Sequence, residues 1–382
     1  MEEVAAGAPV AAVRVPPLLK QGSRVEVFRT YGKITRRRAA SRHKYRSRAR
    51  LQFGTLFYGL AMSVTLLVLA DPAAPWLKLL DRLDSDTKFI VTNHPDHVRE
   101  HAPSADVIVN AVHGPKLLSV ALPLAARAQW VHSMWTGVDN VLSPEVLASP
   151  LPLTNGRGVF RRSLGEWTIA AMLHFSYDLR RLIRQQEAGV WQTFTTEELH
   201  GRTLGIIGFG GIGSSAAALA SAFGMRIIAL RRRPELFERD SLINQTYALP
   251  QINELMAASD YILASAPLTN DTRGMIGEAQ LAAMKPTGVI INVGRGAVID
   301  EAALVRVLEA GTIRGAALDV FAVEPLPAGH PFYRLPNVLL SPHTADHVQD
   351  FVHLAVECFF ENLHRFRTKQ PLNNIVDKHA GY

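Results

Sequence analysis

The chain of 382 residues contains a single cysteine, Cys358. One thiol excludes an intramolecular disulfide framework and a zinc cluster built on cysteines, and no metal site is read from the sequence. Cys358 is expected to be a small buried apolar residue. Excess positive charge is also missing from most of the chain. The formal net charge is +7, but 13 Lys+Arg and 3 Asp+Glu fall in residues 1–50, leaving 28 against 31 in the rest. The basicity therefore belongs to a tail, whereas a nucleic-acid-binding fold would carry it on the fold itself. Internal repeats and low-complexity core segments are absent. With 48% hydrophobic and 20% charged residues the composition is that of a globular chain, which argues against disorder or a fibre. Its length is the natural size of two domains.

An unbroken apolar run is lacking as well. Residues 51–70 hold no charge over 20 positions, enough to cross a bilayer, and are preceded by basic residues. Gln52, Gly54, Thr55, Gly59, Ser63 and Thr65 interrupt the run, and its second half, ending at Asp71-Pro72, reads better as a buried parallel strand. A membrane partner is not expected. From Arg24 to Arg50 there are 11 basic residues and one acid, Glu26, with Ser and Thr between them. Arg-rich, acid-poor N-termini of this kind resemble organellar transit segments, of a mitochondrion or a plastid. The alternatives are a solvated tail on a cytoplasmic protein, or an arm for nucleic acid or a membrane surface.

Beyond residue 62 apolar strand-like runs alternate with helix-like segments. A first series lies at 66–70, 89–92, 107–109 and 130–132; a second, stronger one lies at 204–208, 226–230, 261–266, 289–293, 316–320 and 338–340. Helical stretches at 211–223, 252–258 and 301–310 fall inside the second series. Such alternation predicts parallel sheets covered on both faces. Between the two series, Ser163-Leu-Gly-Glu166 has the spacing of a capping box before a long helix from Glu166 to about Ala188. A return helix is expected over 350–366. The organisation that follows is a basic extension at 1–52, an α/β domain at 53–162 completed by 346–382, and a second α/β domain at 163–345. The cleft between them is the expected ligand site.

The second domain opens on Gly208-Phe-Gly210-Gly211-Ile212-Gly213, after the clean strand Leu204-Gly-Ile-Ile and before an alanine-rich helix. That context turns a weak GxGxxG match into a dinucleotide-binding fingerprint. Gly208 permits the tight turn, Gly210 lets a pyrophosphate approach the backbone, and Gly213 lets the helix pack closely. An acid is expected about 20 residues on, at the end of the next strand, to bond the ribose hydroxyls. This chain has Arg231-Arg232-Arg233 there. An acid would repel a 2′-phosphate, whereas guanidinium groups pair with it, so NADP is the preferred cofactor and NAD a possible one. Three polar residues follow at the ends of successive strands: Arg295 in Asn-Val-Gly-Arg-Gly, Glu324 in Ala-Val-Glu-Pro, and His343 in Ser-Pro-His-Thr. A guanidinium that clamps a carboxylate, a His that carries a proton, and a Glu that orients the His suit one reaction.

These stretches resemble the D-isomer-specific 2-hydroxyacid dehydrogenase family. The resemblance covers about residues 62–375 and is most specific in GRTLGIIGFGGIG, APLTNDTRGMIG, MKPTGVIINVGRGAVIDEAAL, GAALDVFAVEPLP and NVLLSPHTA. It implies two Rossmann-like domains, a flavodoxin-like substrate domain and a doubly wound dinucleotide-binding domain, with a cleft between them. It further implies Arg295 as the carboxylate and carbonyl clamp, His343 as general acid/base, and Glu324 as the partner of that His. Asp319 would face the nicotinamide carboxamide, with Gly211, Ile212, Ala266, Thr272, Val293 and Gly294 lining the cofactor site. In the first domain Gly137-Val-Asp139 matches the family's GxD segment beside the cleft. Val112, His113 and Gly114 fall where a substrate loop offers backbone N–H groups. The implied reaction is reduction of a small 2-keto acid to the D-2-hydroxy acid, as in glyoxylate/hydroxypyruvate reductases or broad 2-ketoacid reductases, by a homodimer. A corepressor-like dinucleotide-sensing module on the same fold is the alternative. The 39 residues after His343 leave no room for the C-terminal regulatory domain of long phosphoglycerate dehydrogenases.

Overall fold

The computed structural model describes residues 63–232 and 241–382; the basic tail, the first part of the 51–70 run and Arg233 lie outside the described residues. The first sheet comprises β1 (Val64–Leu69), β2 (Thr87–Thr92), β3 (Val107–Asn110), β4 (Trp130–Ser133) and β5 (Leu153–Thr154). All pair in parallel in the order β2-β1-β3-β4-β5, the flavodoxin-like arrangement. Its helices are α1 (Pro95–His101), α2 (Lys116–Ala121) and α3 (Pro144–Ala148). β1, VTLLVL, is the second half of the apolar run and is buried almost throughout, as a strand covered on both faces must be. Among the described residues no helix is long and apolar enough to cross a membrane.

Two helices lead to the second domain, α4 (Arg161–Ser176) and α5 (Leu179–Glu187). Here the expectation of one helix opened by a capping box is corrected. α4 begins two residues before Ser163, because the buried Phe160 anchors its start in the core. Ser163 is thus inside the first turn and its hydroxyl donates to the Phe160 carbonyl (3.0 Å), while Glu166 lies beside Arg162 (3.6 Å). The helix then breaks at Asp178, a left-handed residue (φ 47°) whose carboxylate caps α5 by accepting from the Arg181 N–H. An Asp caps a new helix more readily than it continues an old one.

The second sheet comprises β6 (Thr203–Ile207), β7 (Arg226–Leu230), β8 (Gln245–Tyr247), β9 (Tyr261–Ala264), β10 (Val289–Asn292), β11 (Gly315–Leu318) and β12 (Val338–Leu340). Its order is β12-β11-β10-β9-β6-β7-β8, again all parallel. The helices α6 (Gly211–Ala222), α7 (Ile252–Ala258), α8 (Glu278–Ala282) and α9 (Glu301–Glu309) intervene. Strand order reverses between β6 and β9, which opens a crevice at the C-terminal strand ends, where doubly wound sheets bind ligands.

The chain then returns. α10 (Phe351–Arg367) lays Phe359 against Trp130 of β4 with ring centroids 5.7 Å apart, and the Val376 N–H donates to the Leu153 carbonyl (2.8 Å). Trp130 and His132 share one partner: Trp130 Nε1 donates to Thr154 Oγ1 (2.8 Å), which lies 2.7 Å from His132 Nδ1. Complete burial pushes the His132 pKa down to about 3, so this imidazole is neutral. Cys358 is half-buried rather than buried, because its helix turns one edge towards Asn155 and Asn374; burial still raises the thiol's pKa.

Candidate active site

The loop between β6 and α6 is closed towards the protein and open away from it. Gly208 is left-handed (φ 95°), and a Cβ there would lie 2.5 Å from the Ala266 N. A Cβ on Gly213 would lie 2.7 Å from the Gly208 carbonyl oxygen, whereas one on Gly210 would meet nothing within 4 Å. The open side exposes backbone N–H groups at the N-terminus of α6, so the cradle fits a dinucleotide pyrophosphate. Ser265 Oγ fastens the loop by donating to the Gly208 carbonyl (2.8 Å). The buried Ala266, Val293 and Gly294 lie just beyond β9 and β10, beside the loop. Ile212 turns inward against the core. The Thr272 hydroxyl bonds within its own turn, to the Pro267 carbonyl (2.6 Å).

Arginines flank this cradle. The Arg231 N–H donates to the Tyr247 carbonyl (2.9 Å), and its guanidinium lies over the Phe209 ring, 4.5 Å from the centroid. Arg232 lies over Tyr382 at 5.1 Å. Arg161, the first residue of α4, packs beside Gly211, its Cβ 3.8 Å from where a Gly211 Cβ would be. The loop itself has no cation, and the sequence pattern drew no attention to Arg161, which belongs to a different element.

At the neighbouring strand ends Arg295, Glu324 and His343 come together. His343 Nδ1 is 2.7 Å from Glu324 Oε2, while Glu324 Oε1 accepts from the Phe321 N–H (2.9 Å). The loop carrying His343 is fixed from below by the buried Asp319: Oδ1 accepts from the Thr344 and Ala345 N–H groups, and its carbonyl accepts from the His343 N–H (2.9 Å). His343 is held at φ 54°. The hydrogen bond with Glu324 raises the His343 pKa against the opposing effect of burial, helped by the charges of Glu324 and Asp319. Burial would raise the Glu324 carboxyl, but the His343 bond, the Phe321 N–H and the charges of His343 and Arg295 outweigh it and hold it below the usual range. A carboxylate fixed on one ring nitrogen leaves the other free for proton transfer.

The first domain supplies the facing wall. Arg295 Nε donates to Asp139 Oδ1 (3.0 Å), and Nη1 donates to the Gly294 carbonyl (2.8 Å). His113 stacks on Trp135, ring centroids 5.3 Å apart and planes 7° from parallel, which brings the 112–114 loop beside the segment that meets Arg295. Among the described residues the Val112, His113 and Gly114 amides donate to no acceptor, while the Val112 carbonyl accepts from Asn110 Nδ2 (3.2 Å).

This geometry agrees with three comparisons. Residues 169–345 match the model of the D-isomer specific 2-hydroxyacid dehydrogenase NAD binding domain. A glyoxylate reductase of Korarchaeum cryptofilum is 32% identical over 291 residues, 73% of this chain and 85% of the relative. Glyoxylate/hydroxypyruvate reductase B of Serratia proteamaculans is 32% identical over 291 residues, 75% of this chain and 88% of the relative. The chain belongs to the D-isomer specific 2-hydroxyacid dehydrogenase family. Its fold matches the crystal structure of an NADPH-dependent glyoxylate/hydroxypyruvate reductase from Sinorhizobium meliloti in complex with NADP and sulfate, with a TM-score of 0.73 and 28% identity over 84% of this chain and 100% of that one. A family protein from Aeromonas salmonicida gives 0.72 and 29%, covering 83% and 99%.

As a member of this family the protein is an oxidoreductase of the CH–OH group that reduces 2-keto acids with a nicotinamide dinucleotide. In the family frame, the contact between Gly137-Val-Asp139 and Arg295 is what motif reading left without a role. Its sequence signal is the Gly137-Val-Asp139 segment itself, in the loop after β4.

Proposed function

We propose that this dehydrogenase reduces a small 2-keto acid of the glyoxylate or hydroxypyruvate type to the D-2-hydroxy acid, with NADPH preferred over NADH. The observation that carries the proposal is the His343–Glu324 pair (2.7 Å) held at one sheet edge with Arg295 and the dinucleotide loop. The names of the most similar relatives support the substrate class.

When bound, the nicotinamide supplies a hydride to the keto carbon. Arg295 pairs with the substrate carboxylate and polarises the adjacent carbonyl. The 112–114 amides receive the outer carboxylate oxygen. His343 keeps Nδ1–H on Glu324 and gives the Nε2 proton to the carbonyl oxygen as negative charge develops there. The raised His343 pKa keeps that proton available near neutral pH, and the Glu324 carboxylate stabilises the imidazolium. In the reverse direction the neutral Nε2 takes the hydroxyl proton. Asp319 fixes the His343 loop, and its place beneath that loop suits a contact to the nicotinamide carboxamide. Gly208, Gly210, Gly211 and Gly213 cradle the pyrophosphate, while Arg231, Arg232 and Arg233 recognise the 2′-phosphate.

A homodimer is part of the proposal. α5 has no buried residue: Leu179, Leu182 and Ile183 are exposed, as are Tyr177 and Val190 nearby, and Trp191 is 98% exposed. A second copy of the chain is the occupant that would remove this apolar face from water. The basic tail is proposed as an organellar transit segment, checked by the location of a fluorescent fusion.

The test follows nicotinamide absorbance with NADPH and NADH separately against glyoxylate, hydroxypyruvate, pyruvate and phenylpyruvate. Fast NADPH oxidation with glyoxylate or hydroxypyruvate supports the proposal. Tight NADPH binding without turnover on any of the four would replace it with a dinucleotide-sensing role.

A further inference from the structure

Arg295 belongs to the cofactor domain, yet its orientation is set by the substrate domain. Its Nε is taken by Asp139 Oδ1 at 3.0 Å, a bond between residues 156 apart in sequence, and one Nη1 hydrogen by the Gly294 carbonyl at 2.8 Å. Nη2 occupies space that belongs to no side chain only because residue 137 is glycine: a Cβ there would lie 1.4 Å from it. Both ion-pair partners are about three-tenths exposed, Arg295 at 30% and Asp139 at 27%. The pair therefore sits at the cleft mouth and not in the core.

We infer that Asp139 and the missing side chain of Gly137 are positioning residues for Arg295, fixing its guanidinium so that the Nη1–Nη2 edge, and not the Nε edge, meets the substrate carboxylate. A guanidinium pairs bidentately with a carboxylate through either edge. Asp139 occupies the Nε edge, so one edge remains, and the fork is held in that plane before substrate arrives. Preorganisation of this kind lowers the entropy lost on binding. Because Asp139 and Arg295 lie on different domains, the same bond makes carboxylate binding depend on the two domains being docked. The inference rests on Arg295 being the carboxylate clamp.

The experiment measures four quantities in Asp139→Ala, Asp139→Asn, Gly137→Ala and Arg295→Ala: keto-acid KM, kcat, the Ki of oxamate as a carboxylate probe that is not reduced, and the NADPH Kd by fluorescence. Asp139→Ala and Gly137→Ala are expected to raise KM and Ki by about tenfold or more, the effect of one lost charge-assisted bond. NADPH Kd should stay within about twofold of wild type, which also reports that each variant is folded. Asp139→Asn keeps an acceptor for Nε and is expected to recover most of the lost affinity. Unchanged KM and Ki in Asp139→Ala and Gly137→Ala, with both lost in Arg295→Ala, would overturn the positioning role alone. Unchanged Ki in Arg295→Ala would overturn the clamp reading beneath it. Equal losses of NADPH and oxamate affinity would mark a merely structural defect and also overturn the inference. Should Asp139→Ala not fold, Gly137→Ala against Asp139→Asn decides between the same outcomes.

Discussion

Glu324→Gln removes the charge that holds the His343 proton while keeping an acceptor of nearly the same shape. In the native protein Nδ1 lies 2.7 Å from Oε2, and this bond is the largest cause of the raised His343 pKa. A hydrogen bond to a charged group contributes about 1.5–3 kcal/mol, and one pKa unit corresponds to about 1.4 kcal/mol. The His343 and Glu324 side chains are 42% and 35% exposed, so water screens the pair and the lower end of that range applies. Reduction needs His343 protonated, so kcat falls as pH rises through the folded pKa. In Glu324→Gln, which removes the largest cause of the raised pKa, that fall should come at lower pH. Oxidation of the hydroxy acid needs the neutral ring and should begin at correspondingly lower pH. The linked stability has the same sign: the raised pKa stabilises the fold below the unfolded value near 6.5, and this is lost as pH rises through the folded pKa. The assay is kcat at saturating NADPH and keto acid from about pH 5 to about pH 10 in both proteins. Parallel profiles with one midpoint, differing only by a constant factor, would refute the coupling of Glu324 to the His343 proton.

Arg231→Asp should weaken NADPH binding by roughly 10–100-fold and improve NADH, the effect of replacing a charge-assisted bond to the 2′-phosphate with repulsion; nucleotide titrations check it, and an unchanged preference sinks the assignment. Arg161→Ala, at the residue beside Gly211, should raise the Kd of both nucleotides severalfold and equally, because both carry the pyrophosphate; a loss confined to NADPH would place Arg161 at the 2′-phosphate instead. Ile183→Asp, on the exposed face of α5, should halve the mass seen by sedimentation at fixed concentration, and no change would remove this face from the interface. His132 stays neutral in the fold down to about pH 3 but is protonated below about 6.5 when unfolded. Its contribution to stability therefore declines by up to about 1.4 kcal/mol per unit as pH falls through that window; His132→Asn should flatten acid unfolding curves, and identical curves would contradict it.

The strands were legible because both sheets are parallel and covered on both faces. Segments such as YILA at β9 and VIIN at β10 are buried at every position, and the polar Asn292 stands only at the end of its run. β5 escaped because a run of 2 residues carries too little pattern, and β8 because QTY, with two polar residues in three, is no apolar run, unlike the equally short VLL of β12. The helix after Phe160 departs from its local sequence pattern for a different reason. Its start is set by a buried aromatic packing into the core, a tertiary effect that outweighs a local capping spacing. The glycine loop and the strand-end residues were legible because a dinucleotide and a charged substrate restrict residue type tightly at a few positions.

What the sequence conceals is the relation between the two domains, and the Arg295 environment shows why. Gly294 was legible as part of a strand-end loop, and its carbonyl holds Nη1 from the next position along the chain. Asp139 holds Nε from 156 residues away, across a docking that no local pattern encodes. Gly137 is more hidden still, since its role is the absence of atoms where Nη2 lies. A glycine read in isolation suggests backbone freedom or a tight turn. Here its function becomes visible only when the neighbouring domain brings a guanidinium into the space. If the domains docked otherwise, Gly137 would tolerate a methyl group, so Gly137→Ala reports on the docking itself, separately from the chemistry that Arg295 performs.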